Sequence, residues 1–140
     1  MVQRAAVIWF LLAFLAVLNG AAREAFITPA LGEPAGHVTG TLIFCLVIFL
    51  VALFSLGWIG PSSRRAALAI GLVWVLLAVL FEFLAGHYLF GNSWETLLAD
   101  YDVRRGRVWV LVLITSLTAP VLAYRVRTSR QSMEGASPTA

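Results

Sequence analysis

The chain has 140 residues, of which 61% are hydrophobic and only 12% are charged. A soluble domain carries about a quarter charged residues, so this composition excludes an ordinary soluble fold. The net charge of +3 reflects arginines at the ends of apolar segments, and no nucleic-acid-binding motif accompanies them. We therefore expect the lipid bilayer as a partner, and no nucleic acid.

Four apolar segments are long enough to cross a bilayer, which takes about 20 residues each. They cover residues 5–22, 38–60, 66–86 and 108–124. The sequence thus predicts an all-α integral membrane four-helix bundle in residues 1–126. The small, polar residues 127–140 predict a disordered cytoplasmic tail.

The first segment has the basic start, apolar centre and small final residues of a signal peptide. However, it runs into Asn19, Arg23 and Glu24, which look built into a helix. We therefore expect the segment to be retained as the first span.

The second and third segments are separated by a short turn. Pro61 ends the second, and Ser62 or Ser63 can cap the third. This spacing predicts an antiparallel hairpin. Gly32, Gly36 and Gly40 recur every four residues into the second segment and predict a close helix approach.

Arginines cluster at one side of the predicted bundle, around Arg4, the pair Arg64 and Arg65, and the stretch 125–130. The excess of arginine in short cytoplasmic loops sets the orientation of most membrane proteins. We therefore expect a multi-pass protein with both termini in the cytoplasm and residues 23–37 and 87–107 outside.

The segment between the third and fourth spans predicts a short outer helix. Asn92 or Ser93 can cap it. An apolar face then follows at helical spacing, formed by Trp94, Leu97, Leu98 and Tyr101. Such a helix either lies at the membrane interface or folds as a cap over the outer ends of the bundle.

Glu82 lies inside the third span, where an ionised group costs about 3 kcal/mol or more unless it is paired. Arg23 is the expected donor. We predict an outer polar cluster in which this pair is accompanied by other polar residues: Asn19, Glu24, His37, His87, Asp100 and Tyr101. The pair either fixes the packing of the helices or lines a pocket that opens outward.

His37 and His87 on different helices leave open a haem or a divalent metal. Neither has the spacing of a known metal motif, and no nucleophile motif is present. We therefore expect no cofactor, no metal and no catalytic residue.

Three functions fit these features. The favoured one is a non-enzymatic protein whose outer polar pocket binds or transports a small polar or lipidic ligand. The second is an accessory subunit of a larger membrane complex, and the third is a membrane-embedded enzyme acting on a lipid. A homo-oligomer is compatible with each.

The stretches "LNGAARE", "GEPAGHVTGT", "FEFLAGHY" and "SWETLLADYDVRRGRVW" resemble an uncharacterised family of small bacterial four-span integral membrane proteins. The resemblance implies a bacterial inner membrane location and no particular activity. Separately, one spaced pattern is similar to a segment of small proteins labelled as ABC-transporter components: Glu82, Gly86, Trp94, Tyr101 and Gly106.

Overall fold

The structure, a computed structural model, describes residues 1–89, 91–99 and 108–135. These residues form six α-helices and a π-helical turn, Arg23–Ile27, between the first two. The helices, numbered α1 to α6, are Val2–Ala22, Thr28–Leu31, Glu33–Ile59, Arg64–Tyr88, Trp94–Ala99 and Trp109–Gly135. The described ranges contain no strand, and the predicted all-α fold is confirmed.

Four helical segments are long and apolar enough to cross a membrane. They are Val2–Leu31, Glu33–Ile59, Arg64–Tyr88 and Trp109–Met133. The four predicted spans are therefore confirmed, and each helix is longer than its apolar core. The chain is a multi-pass membrane protein built as a helical bundle.

The ends of the helices follow from local chemistry. Gly60 ends α3 in a left-handed conformation with φ of 73°, which costs a glycine little. The Ser63 hydroxyl then caps α4 by accepting a hydrogen bond of 3.1 Å from the Ala66 amide. Gly32, with φ of 81°, separates α2 from α3, which starts earlier than predicted because Pro34 suits a first helical turn.

The C-terminal segment corrects one prediction. Helix α6 continues to Gly135, so residues 127–135 are helical where a disordered tail was expected. Two hydroxyls, those of Thr128 and Ser132, donate to the carbonyl four residues earlier. Residues 136–140 lie outside the described residues.

The bundle has two distinct ends. At one of them, the Arg4 guanidinium donates to the Trp58 carbonyl at 2.7 Å, and the Arg127 guanidinium donates to the Leu53 carbonyl at 3.4 Å. The start of α1 and the last turns of α6 therefore lie beside the end of α3. We call this the terminal end, and the opposite end, with α2 and α5, the loop end.

Helix packing places α3 and α4, which are consecutive in the chain, across the bundle from each other. α6 packs along both α3 and α4, and α1 packs on the same two helices. Within the described residues, α3 and α4 have no extensive contact with each other, so the predicted close hairpin is wrong. The turn at 60–63 joins opposite corners, and α1 and α6 occupy the two positions between them.

The terminal half of the bundle is filled. Trp74 is fully buried in its centre, and its indole Nε1 donates to the Ala5 carbonyl at 2.9 Å. One turn earlier, Gly71 lies directly against the backbone of Leu117, and only a residue without a side chain fits there. These contacts fix α4 between α1 and α6.

Candidate functional site

The loop half of the bundle contains a partly open central cavity of about 330 Å³. It begins one turn beyond Trp74, at Ala78, and all four long helices contribute to its wall. Most of its lining is apolar and comes from Trp9, Leu12, Ala13, Ala16, Val17, Phe44, Ile48, Ala78, Phe81, Ala85, Leu97 and Val112. The small residues in this lining come from α1 and α4, at Ala13, Ala16, Ala78 and Ala85.

One wall of the cavity is closed by aromatic packing. The rings of Trp9 on α1 and Phe81 on α4 meet edge to face, with centroids 5.8 Å apart. Such a contact adds about 0.5–1.5 kcal/mol beyond the area that it buries. It holds α1 against α4 while the small residues beside it leave the interior open.

The short helix α5 covers the cavity at the loop end. Leu97 is only 3% exposed, and a side chain added at Gly86 would lie 2.7 Å from a Leu97 methyl carbon. Trp94 stacks on the His87 ring with centroids 3.9 Å apart. The predicted short outer helix is confirmed, and its Ser93 hydroxyl accepts a hydrogen bond from the Thr96 amide. Its Leu97 packs onto the bundle, whereas Trp94 and Leu98 of the predicted apolar face are exposed, which leaves the interfacial interpretation open beside the cap.

Three polar side chains contribute to the cavity lining. Glu82 on α4 is half-buried and makes an interaction of its own, so it is not an isolated charge. Ser116 on α6 is buried, and Asn92 approaches from the loop before α5. The ring of Trp109 also lines the cavity, but its Nε1 is closed off from solvent and so is not presented to the cavity; it has no hydrogen-bond partner within the described part of the chain.

A second polar group of residues, the α1–α3 cluster, contains Asn19, Arg23, Glu24 and His37. The Arg23 guanidinium donates to Glu24 Oε1 at 2.7 Å and to His37 Nδ1 at 2.8 Å. The Asn19 amide donates to the Gly40 carbonyl at 3.1 Å. Since a guanidinium only donates, His37 Nδ1 is an acceptor here.

Arg23 therefore has different partners from those predicted. Its ion pair, among residues that the structure describes, is with Glu24 in place of Glu82. The π-helical turn that starts at Arg23 and the bare backbone of Gly40 together place the arginine stem on α3. A Cβ added at Gly40 would lie only 3.0 Å from that stem. The glycine spacing thus correctly predicted that another segment approaches α3 closely at Gly40. It did not predict that the approaching group is the side chain of Arg23.

The two histidines lie in unlike surroundings. His87 Nδ1 donates to the Asn92 carbonyl at 2.9 Å, whereas His37 Nδ1 accepts from Arg23. Residues 1–89, 91–99 and 108–135 contain no group of three or more His, Cys, Asp or Glu side chains placed to hold a metal ion. Asp100 and Tyr101, also predicted for the site, lie outside the described residues.

Sequence reasoning missed the groups that α6 brings to the cavity, Trp109 and Ser116. They lie seven residues apart and hence on one face of the helix. A search for small residues facing one another on different helices, such as Ala13 and Ala78, would have indicated the open centre. The polar residues of the sequence predicted a site at the α1–α3 cluster and gave no indication of the cavity.

Fold and cavity together define a class, a multi-pass four-helix membrane bundle with a hollow loop half. Comparison with protein-family models, curated proteins and solved structures finds no match for the chain. The resemblance to small bacterial four-span proteins and to ABC-transporter components therefore stays a prediction.

Proposed function

We propose that the protein binds, in its central cavity, a small ligand that combines an apolar body with a polar head. The main support is the division of the cavity lining, which is apolar over most of its area and polar at Glu82, Asn92 and Ser116. Ligand sites in proteins are generally apolar clefts of roughly 300–1,000 Å³ with a few polar groups that fix orientation. The cavity, at about 330 Å³, falls at the small end of that range.

The polar groups specify the head of this ligand. The Asn92 amide and the Ser116 hydroxyl can each donate a hydrogen bond, so the head carries an acceptor oxygen such as a carbonyl or an ether. Glu82 favours a hydroxyl or a cationic nitrogen beside that oxygen. A lipidic molecule with a compact polar head meets both requirements better than a fully polar solute, because the remaining wall offers no hydrogen bonds.

The cavity would open into the outer leaflet of a bacterial inner membrane. This orientation is supported by the arginines of the terminal end, which favour the cytoplasm: Arg4, Arg64, Arg65, Arg125, Arg127 and Arg130. In this orientation the protein would take a lipidic ligand from the outer leaflet, either to bind it or to transport it. Cysteine mapping with a membrane-impermeant reagent at Ser62 and at Ser93 tests the orientation, since only the outer position reacts in intact cells.

Filling the cavity tests the proposal directly. We expect Ala16→Phe, which places a ring in the cavity, to abolish retention of the ligand. Ala21→Phe is the matched control, because it makes the same change on an exposed face of the same helix. The three proteins are purified in one mild detergent, and the molecules extracted from each are compared by mass spectrometry.

The expected result is a molecule that the original protein and Ala21→Phe retain in near-stoichiometric amount and Ala16→Phe lacks. Equal retention of every extracted molecule by all three proteins would contradict the proposal. Partner proteins that co-purify with all three would then favour the accessory-subunit alternative.

A further inference from the structure

The terminal end carries two hollows that share one arginine. Each has a volume of about 290 Å³, and Arg127 of α6 lines both. Gly60 and Thr128 lie in the first, and Phe54 and Arg130 in the second. We infer that Arg127 is the centre of a binding site for the phosphate of an anionic phospholipid.

Arg127 is held in place by α3. A side chain added at Gly57 would lie 3.0 Å from the Arg127 guanidinium carbon, so the guanidinium lies on bare helix backbone. Its one hydrogen bond among the described residues, to the Leu53 carbonyl, is long at 3.4 Å. A guanidinium has five N–H donors in a planar fork, so most of them are available to a phosphate oxygen.

The charges around Arg127 favour an anion. Acidic residues whose side chains the structure describes all belong to the loop half: Glu24, Glu33, Glu82 and Glu95. Arg130 is followed one turn later on α6 by an acid, Glu134, whose side chain lies outside the described residues. We therefore place the centre of the proposed site at Arg127 and not at Arg130. Arg4, on the other side of α3, is engaged with the Trp58 ring at 5.4 Å and with its carbonyl.

The position of Arg127 indicates a lipid as the source of the phosphate. Its guanidinium lies level with Leu53 and Gly57, inside the last two turns of α3, and hence near the boundary between hydrocarbon and headgroups. Phe54, which lines the second hollow, is 78% exposed and faces the bilayer. An acyl chain can follow this apolar surface while the phosphate reaches the arginine. Basic sites between helices near a membrane surface recognise lipid headgroups in this way.

Spin-labelled lipids test the inference. The full chain is reconstituted in phosphatidylcholine vesicles with a trace of labelled phosphatidylglycerol or labelled phosphatidylcholine. The motionally restricted fraction of each label gives the preference for the anionic lipid. Salt of about 0.5 M shortens the Debye length to about 4 Å and thus suppresses general surface attraction.

We expect the original protein to keep its preference for phosphatidylglycerol in this salt and Arg127→Gln to lower that preference about five-fold, near the 1 kcal/mol typical of one arginine at an anionic surface. The matched control is Arg65→Gln, an exposed arginine at the same end, which should match the original protein. Helical circular dichroism confirms that each variant is folded.

Arg130→Gln provides a second test that leaves the packing of Arg127 on α3 intact. We expect it to lower the preference by about two-fold, and it stands in for Arg127→Gln if that variant does not fold. No preference in the original protein, or equal preferences in Arg65→Gln and in every folded variant of the site, would overturn the inference. Displacement of the labelled lipid by excess inorganic phosphate would overturn the lipid as the source.

Discussion

The terminal and loop halves of the bundle are built from the same four helices and pack differently. In the terminal half, Gly71 brings the backbones of α4 and α6 into contact, and Trp74 fills the centre. In the loop half, small residues such as Ala13 and Ala78 line a cavity. Small residues therefore allow two helix backbones to touch in the terminal half, whereas in the loop half they line open space.

The two halves also differ in their use of polar groups. Hydrogen bonds of the terminal half, such as that of Trp74, join one helix to another and leave no interior space. Each half also holds one buried polar atom with no hydrogen-bond partner among the described residues, Ser55 Oγ in the terminal half and Trp109 Nε1 in the loop half. Only the loop half, however, places the polar side chains of Glu82, Asn92 and Ser116 along a central cavity.

The largest expected effect comes from Gly71→Ala, which would break the terminal half. The added Cβ collides with the carbonyl oxygen of Leu117, a backbone atom that cannot move alone. We expect a loss of about 3 kcal/mol in the free energy of unfolding. Unfolding by sodium dodecyl sulfate, followed by circular dichroism, measures it. Gly20→Ala, which meets no atom within 4 Å, is the control and should cost nothing.

Trp74→Phe should have the next largest effect, because it removes the hydrogen bond to the Ala5 carbonyl and part of the buried ring. We expect a loss of about 2 kcal/mol, measured by the same titration. Trp58→Phe, at a half-exposed position, should cost less than about 0.5 kcal/mol. Equal losses at the two tryptophans would show that the burial of Trp74 and its hydrogen bond to Ala5 do not account for the stability of the terminal half.

Gly40→Ala makes the same substitution in the loop half as Gly71→Ala makes in the terminal half, and we expect it to have the smallest effect on the free energy of unfolding. The added Cβ meets the Arg23 stem at 3.0 Å, and a flexible side chain can shift where the Leu117 backbone cannot. We expect a loss below about 1 kcal/mol, partly offset by the better helix propensity of alanine. A loss as large as that of Gly71→Ala would mean that the α1–α3 cluster is as rigid as the terminal half.

Local features of the fold could be predicted from the sequence because their signals are local. Hydropathy located the four spans, and the serines at 63 and 93 marked the starts of α4 and α5. The π-helical turn at Arg23 could not be predicted, because a charged pair after an apolar run is more typical of a helix that ends. The helical continuation of α6 was missed because small polar residues suggested disorder.

The arrangement of helices could not be predicted, since a short turn between α3 and α4 favours neighbours and the structure places them across the bundle. The polar cluster was predicted in part. Asn19, Arg23, Glu24 and His37 lie together, because Asn19 and Arg23 share a face four residues apart. Glu82 lines the cavity instead, because its side of α4 faces the bundle centre.

The position of α6 between α3 and α4 has a consequence for biosynthesis. When α4 leaves the ribosome, α1 is the only long helix available to bridge α3 and α4, since these two make no extensive contact of their own in the described structure. Helix α6, which is translated after the other three long helices of the bundle, supplies Trp109, Val112 and Ser116 and so completes the cavity wall. Until α6 has entered the membrane, a nascent chain presents the cavity-lining faces of α3 and α4 as an unfinished surface.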